Sequence, residues 1–333
     1  MRSSCIAIAL AAAFAFAAPA PAEQPLVLEA KIPLGDVSGR IDHMAFDAAR
    51  QRLFVAELGN DSVGVVDIKA KKTIRTISDL KEPQGVGYVA ASGMLYVANA
   101  RDGSVRLFRG GDYTPAGTVD LGKDADNIRV DAKMGQVFVG YGSGGIAVLD
   151  AASGQRRTDI KLRGHPEAFQ LAPAGDRIYV NVPDERQIAV LDRAAQKQVA
   201  SWPTRDGRAN FPMALGDDGA HIISVFRNPP RLAVLSATNG RALASIEVCG
   251  DADDVFVDAR RHRLYVSCGE GVVDVLERRA EGYVRLARVP TSSGARTSLF
   301  VPELDRLFVG VRASGGIVAS ATPAAIWVFR PAP

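Results

Sequence analysis

The sequence lacks the features that mark several large classes of protein. It has three cysteines and two tryptophans in 333 residues, and 40 basic and 37 acidic residues leave a net charge of only +3. A charge so close to zero argues against strong binding to nucleic acid. After residue 22, no apolar run approaches the roughly 20 residues of a membrane-spanning helix. Hydrophobic residues at 47% and charged residues at 23% are typical of a globular chain.

Motifs with a diagnostic spacing are also missing. The chain has no C-x-x-C-H for haem attachment, no P-loop, no G-x-G-x-x-G that opens a helix, and no nucleophile elbow or triad motif. The glycines at 142–145 belong to a turn between strands. We therefore expect no bound cofactor and assign no catalytic residue.

The first 22 residues have the pattern of a secretory signal peptide. Arg2 supplies a positive charge, residues 5–16 are apolar, and the alanines and prolines at 18–22 permit cleavage after Ala22. A membrane anchor is the alternative, but the apolar stretch is too short to span a bilayer. We expect residues 1–22 to be removed, and residues 23–333 to form one domain in the periplasm or outside the cell.

Two cysteines, Cys249 and Cys268, follow the signal peptide. In an oxidising compartment such a pair is a candidate for a disulfide. Sequence spacing cannot show whether their Cα atoms come within about 7 Å, which the bond requires. A disulfide and a pair of buried thiols both stay open here.

A short apolar strand recurs seven times along the chain. The units contain one further strand upstream and two downstream, separated by turns rich in Gly, Asn and Asp, and no helical period is evident. Four strands in about 42 residues is the period of a β-propeller blade. A solenoid would need capping repeats, which the chain lacks. The copies lie at residues 53–57, 95–99, 137–141, 178–182, 222–226, 264–268 and 307–311.

The sequence therefore predicts an all-β, seven-bladed β-propeller with four-stranded antiparallel blades. The last unit begins at residue 298 and supplies only three strands, whereas residues 26–33 form a strand without a unit of its own. We expect residues 26–33 to join the C-terminal blade and close the ring, because closure protects the edges of the sheets.

The blades resemble those of the YVTN-repeat, YncE-like propellers, a family of exported bacterial proteins. The resemblance rests on LYVAN at 95–99, IYVN at 178–181, AVLD at 147–150 and 189–192, and the Asn-Gly and Ser-Gly turns. It covers nearly the whole chain after the signal peptide and differs from WD40 repeats, since no Trp-Asp pair closes a blade. The same architecture serves lactonases, dehydrogenase subunits and nitrite reductases, so it does not give the function.

Charged residues concentrate where the chain enters the innermost strand of each unit. In a propeller these loops surround one end of the central channel, here called the mouth, and loops on a rigid scaffold often carry function. We expect a monomeric, non-catalytic protein that binds a small molecule or a periplasmic protein partner at the mouth. The candidate binding residues are Arg40, Asp42, His43, Glu57, Gln84, Asn99, Asp126, Asn127, Tyr141, His165, Glu167, Asn210, Asp253, Asp254 and Arg296.

Three alternatives to this binding function stay open. Short polar loops also cap strands, so their role can be structural. The runner-up function is a metal-dependent hydrolase of lactonase type, in which His43 and His165 would act with carboxylates such as Glu167. The resemblance also implies DNA binding, for which residues 101–109 and 156–163 offer basic clusters, but the near-neutral charge disfavours it.

Overall fold

A computed structural model of the chain describes residues 24–205, 207–216, 219–316 and 319–333. Seven four-stranded antiparallel sheets form a seven-bladed β-propeller, which confirms the predicted fold class. The expected signal peptide, residues 1–22, lies entirely outside the described residues. No helix in the described part of the chain is long and apolar enough to cross a membrane.

The first six blades take their strands in chain order from the channel outwards. Blade 1 contains β2 (Met44–Asp47), β3 (Arg52–Glu57), β4 (Ser62–Asp67) and β5 (Lys72–Ile77), and blade 2 contains β6 (Pro83–Val89), β7 (Met94–Asn99), β8 (Ser104–Arg109) and β9 (Pro115–Asp120). Blade 3 contains β10 (Ala125–Asp131), β11 (Gln136–Tyr141), β12 (Gly145–Asp150) and β13 (Arg156–Lys161), and blade 4 contains β14 (Phe169–Leu171), β15 (Arg177–Val182), β16 (Gln187–Asp192) and β17 (Lys197–Pro203). Blade 5 contains β18 (Arg208–Leu215), β19 (His221–Asn228), β20 (Pro230–Ser236) and β21 (Ala242–Glu247), and blade 6 contains β22 (Ala252–Asp258), β23 (Arg263–Cys268), β24 (Val272–Arg279) and β25 (Gly282–Pro290).

Blade 7 combines both ends of the described chain. It contains β26 (Ser298–Val301), β27 (Arg306–Val311), β30 (Ala325–Pro331) and, outermost, β1 (Leu26–Pro33). Two elements were not expected from the repeat. A short hairpin of β28 (Ser314–Gly316) and β29 (Ala319–Thr322) lies between β27 and β30, and a single 3-10 turn (Leu58–Asn60) follows β3.

The apolar repeat forms the middle of each blade. All six residues of β7 are buried, and the other second strands are buried except at their first residue in most blades. Strands covered on both faces read as continuous apolar runs, which explains why these segments stood out in the sequence. Outer strands alternate instead, as the exposed and half-buried residues of β17 show.

Aspartates fix the tight turns between the first and second strands. Asp47 Oδ1 accepts the backbone N–H groups of Ala49 at 3.0 Å and Arg50 at 3.2 Å. Asp258 does the same in blade 6, with Arg260 at 3.1 Å and Arg261 at 3.2 Å. Such side-chain bonds replace the backbone partners that a turn leaves unsatisfied, so the local sequence is enough to set these turns.

The ring is closed by the N-terminal strand, as predicted. β1 pairs antiparallel with β30 from Leu26 opposite Pro331 to Pro33 opposite Ala325. The side chains of Leu26 and Ile32 are almost fully buried in this joint. Near the channel, Thr297 Oγ1 donates a hydrogen bond of 3.2 Å to the backbone oxygen of Ile41, across 256 residues of sequence.

A disulfide joins Cys249 to Cys268 in the structure, with their Cα atoms 5.9 Å apart. Cys249 follows the outer strand of blade 5, and Cys268 ends the second strand of blade 6. Both lie in a buried apolar cluster between the two blades. The bond therefore ties neighbouring blades together near the mouth end of the ring.

Removing the closing strand should break the propeller. A chain without residues 23–34 leaves the backbone groups on the outer edge of β30 unpaired and exposes the apolar surface under Leu26 and Ile32. Exposed strand edges promote association between chains. We expect aggregation by size-exclusion chromatography and loss of the cooperative melting transition, with a chain lacking only residues 1–22 as the control. A soluble deletion variant that melts at the control's temperature would disprove the role of β1.

Candidate functional site

The mouth is a cavity of about 260 Å³ at the end of the channel where the inner strands begin. Each of the seven blades contributes at least one side chain, from the loop before the inner strand, from the strand's first residues or from the end of the second strand. Residues that are as many as 256 positions apart in sequence therefore surround one small volume. The mouth is lined by Arg40, Asp42, His43, Gln84, Asp124, Asp126, His165, Glu167, Phe211, Arg227, Asp253 and Arg296.

β-Bulges at the start of the inner strands position these side chains. The pairing register shifts between Ala125 and Ile128 in blade 3 and between Ala252 and Asp254 in blade 6, with equivalent shifts in blades 2 and 5. A bulge adds one residue and changes which face the next side chains occupy. As a result two consecutive residues line the channel: Asp253 faces the mouth and Asp254 the channel below it.

Two arginines of the mouth are already neutralised by aspartates. Arg296 Nη1 lies 3.0 and 2.9 Å from the two carboxylate oxygens of Asp251, and Arg296 Nε lies 3.0 Å from Asp253 Oδ2. Arg227 pairs with Asp253, donates from Nε to the Ala252 oxygen at 2.8 Å, and stacks over Phe211 at 4.0 Å. These two cations are therefore held in place by the protein itself.

His43 lies between two aspartates at the bottom of the mouth. Its Nε2 is 3.7 Å from Asp42 Oδ1 and its Nδ1 is 3.9 Å from Asp254 Oδ1, while Arg40 Nη2 lies 2.8 Å from Asp42 Oδ2. Burial raises the pKa of Asp42 to about 6 and that of Asp254 to about 7. Burial works against protonation of His43, but the negative charges of Asp42 and Asp254 outweigh it and raise the pKa of the imidazole.

His165 occupies the opposite side of the mouth. Its Nδ1 lies 2.6 Å from the backbone oxygen of Gly142 and 3.5 Å from Asp124, and its Nε2 is 3.8 Å from Asp126. Burial disfavours the charged ring, but Asp126 and the Gly142 oxygen outweigh it and raise the pKa of His165 to about 9. The same contact, together with the charge of His43, overcomes burial and lowers the pKa of Asp126.

Glu167 is the carboxylate of the mouth that the described residues leave without a hydrogen bond or ion pair. Burial, followed by the negative charge of Asp126, raises its pKa to about 8. The mouth lining contains five carboxylic acids, three arginines and two histidines. Because Asp251 and Asp253 already neutralise Arg227 and Arg296, the region around Glu167 carries a surplus of acidic groups.

The structure divides the fifteen predicted binding residues into three groups. Nine of them line the mouth, and Asn127 and Asp254 line the channel just below it, as His43 also does. The remaining four lie inside the blades. The nine at the mouth are Arg40, Asp42, His43, Gln84, Asp126, His165, Glu167, Asp253 and Arg296.

The four buried residues have structural partners instead of facing the cavity. Glu57 accepts a hydrogen bond from Ser62 Oγ at 2.6 Å, and Asn99 accepts the Lys81 N–H at 3.0 Å. The Tyr141 hydroxyl donates to Asp159 at 2.9 Å, and Asn210 donates to Asn181 at 2.9 Å. These residues end second strands or lie at the bulge of blade 5, where they satisfy polar groups within or between strands.

Sequence reasoning missed a second cavity, here called the chamber, which follows the inner strands below the mouth. It has a volume of about 440 Å³ and is lined mainly by apolar residues such as Met44, Val86 and Met213. Arg129 and Gln170 are polar side chains of this lining that are absent from the predicted binding residues. The signal was present in the repeat: eight residues before each second-strand copy the chain has Ala45, Gly87, Arg129, Gln170, Ala214, Phe256 and Leu299.

Within the described residues, no group of three or more His, Cys, Asp or Glu side chains is arranged to hold a metal ion. His43 and His165 contact different aspartates, at 3.7–3.9 Å and 3.5–3.8 Å. Both imidazoles are directed at carboxylates, a geometry that favours their protonated form over the neutral form that a metal requires.

The surplus acid of the mouth should make the fold less stable at high pH. The pKa of Glu167 rises from its ordinary value of 4.5 to about 8 in the folded protein, so the folded state keeps a proton that the unfolded state releases. This contribution to stability is complete below about pH 4.5 and is lost as the pH rises through 8. Glu167→Gln mimics the protonated carboxyl, so we expect its melting temperature to exceed the wild-type value at pH 8.5 but not at pH 5.

Thermal melts across this range measure the effect, with the exposed Glu281→Gln as the matched control. We expect a difference of a few degrees at pH 8.5, since about 1 kcal/mol moves the melting temperature of domains of 150–250 residues by about 2–4 °C. Parallel pH profiles for the wild type and Glu167→Gln would show that Glu167 titrates normally.

Comparison with known proteins supports the fold and does not assign the chain to a family. No protein-family model matches the chain, and no curated protein sequence matches it. Among solved structures, hydrazine synthase of Kuenenia stuttgartiensis is similar with a TM-score of 0.71 at 16% identity, covering 96% of this chain and 99% of that one. A chain of the mitotic checkpoint complex has a TM-score of 0.76 at 11% identity over 98% and 99% of the two chains. The WD40 repeats of RRP9 have a TM-score of 0.77 at 11% identity over 94% and 99%. At such low identities the likeness shows the β-propeller fold alone.

Proposed function

We propose that the protein is a non-catalytic binding protein whose mouth takes a small organic cation. The observation that carries this proposal is that no described side chain pairs with Glu167, a carboxylate of the mouth. Burial raises the pKa of this carboxyl to about 8. A partly buried carboxyl without a partner is unfavourable in its charged form. A ligand ammonium or guanidinium group would supply the missing positive charge.

The neighbours of Glu167 support a cationic ligand over an anionic one. The negative charges of Asp126 and Asp253 raise the pKa of Glu167 and outweigh the opposing positive charges of His165 and Arg227. Asp126 Oδ1 is also buried without a hydrogen-bond partner among the described residues. The nearby arginines offer little to an anion, because Arg227 and Arg296 already contact Asp251 and Asp253. A protein partner would satisfy the same site by inserting a lysine or arginine side chain.

Binding of a cation should release protons. At pH 7 a Glu167 carboxyl with a pKa of about 8 is mostly protonated, and a bound cation favours its ionised form. Isothermal titration calorimetry with putrescine and agmatine, in two buffers of different ionisation enthalpy, measures both affinity and proton release. A peptide with one free lysine tests the protein-partner form of the proposal, and succinate is the anionic control.

We expect Glu167→Gln to weaken cation binding by roughly tenfold or more, since hydrogen bonds to charged groups contribute about 1.5–3 kcal/mol. It should also remove most of the proton release, whereas Glu281→Gln should bind like the wild type. Equal affinity in wild type and Glu167→Gln, or binding of succinate in preference to both amines, would refute the cationic ligand.

The proposal includes export and membership of the YVTN-repeat, YncE-like family. The first 22 residues support export through their composition, and the Cys249–Cys268 bond fits an oxidising compartment. The family assignment is supported by the strand motifs at 95–99 and 178–181 and by the seven-bladed fold.

Export can be checked by the intact mass of the full chain after expression in a bacterium. We expect the protein recovered from the periplasm to begin at Glu23 and to have no thiol that reacts with an alkylating agent unless it is first reduced. Retention of residues 1–22 in a cytoplasmic product, or two freely alkylated thiols, would contradict export into an oxidising compartment.

A further inference from the structure

The chamber below the mouth has the size and chemistry of a second, separate ligand site. Its volume of about 440 Å³ lies within the range of about 300–1,000 Å³ that small-molecule sites occupy. Such sites combine a mainly apolar lining with a few polar groups that orient the ligand. The chamber fits this description, since Met44, Val86, Ile128, Met213 and Leu299 are among the apolar residues that make up most of its lining.

Within the described part of the chain, Arg129 is the one arginine or lysine in the chamber lining. Its Nη1 donates to the Ile128 oxygen at 2.8 Å and to Asn127 Oδ1 at 3.2 Å, and the guanidinium carbon lies 5.6 Å from the centre of the Phe169 ring. Among the described residues, no carboxylate lies within 4 Å of it, and Nε and Nη2 have no hydrogen-bond acceptor. Three of its five N–H donors are therefore available to a ligand.

The acidic groups near Arg129 interact with other residues. Asp254 Oδ2 accepts the Ser298 N–H at 2.7 Å, and Asp254 Oδ1 lies 3.9 Å from His43 Nδ1. Asp126 faces the mouth, where His165 is its neighbour. Gln170, another polar residue of the lining, donates to the Met213 oxygen at 2.7 Å. Burial lowers the pKa of Arg129, as expected for a guanidinium that water and counter-charges solvate poorly.

We infer that the chamber binds a monocarboxylate with an apolar body, such as a medium-chain fatty acid or an aromatic acid. A carboxylate matches the planar fork of a guanidinium and accepts two parallel hydrogen bonds from it. The methionine, valine, isoleucine and leucine side chains would cover the hydrocarbon part of the ligand. This site goes beyond the proposed function, because it uses different residues and the opposite ligand charge from the mouth.

The test measures the affinity of octanoate for the full folded protein, with octan-1-ol and octylamine as ligands of equal length. Arg129→Met removes the guanidinium but keeps similar apolar bulk, and the exposed Arg75→Met makes the same change of net charge away from the channel. Circular dichroism checks folding, and Arg129→Gln replaces Arg129→Met if the latter is misfolded.

We expect octanoate to bind wild type and Arg75→Met equally, and Arg129→Met about 10–100-fold more weakly. Butyrate, hexanoate and octanoate should bind wild type progressively more tightly, by about threefold or fourfold per methylene. Octan-1-ol should not distinguish wild type from Arg129→Met. Three results would each overturn the inference: no saturable octanoate binding at millimolar concentration, equal binding to the Arg129 variants, or an affinity independent of chain length.

Discussion

The closed ring is the constraint on which the rest of this structure depends. Each blade has an apolar middle that needs a neighbour on both faces, so no blade can end the series without exposing its core. The pairing of β1 with β30 removes the open ends and brings Ile41 against Thr297 at the channel. Once the ring is closed, seven inner strands must converge, and the residues that begin them meet at one mouth.

Convergence explains why a chain of almost neutral charge can carry a strongly charged site. The net charge of +3 is spread over the whole sequence, but the mouth gathers five acids, three arginines and two histidines within about 260 Å³. Burial disfavours the charged form of carboxyl groups at the mouth and just below it, which raises the pKa of Asp42 and Glu167 at the mouth and of Asp254 below it. Perturbed carboxyl groups that cluster in a cavity are a common property of binding and catalytic sites.

The channel is divided chemically into two regions that meet at His43. Above it the lining is polar and has surplus acid, and below it the described lining is mainly apolar, with Arg129 as its one arginine and Asp254 beside His43. The β-bulges at the start of the inner strands create this division, since they allow consecutive residues such as Asp253 and Asp254 to face different parts of the same channel. The ligands that we propose for the two regions therefore carry opposite charges.

The sequence alone determined the number of blades, the order of strands and the closing role of residues 26–33, because these follow from a local pattern repeated seven times. The tertiary structure decided which polar residues face the cavity. Several polar residues were predicted at the mouth on the same grounds as Glu167, yet they are buried within the blades and have hydrogen-bond partners there. They are Glu57, Asn99, Tyr141 and Asn210. A bulge of one residue reverses the face that a side chain occupies. The chamber that Arg129 lines exists only where the inner strands of the ring surround one axis, so no local stretch of sequence predicts it.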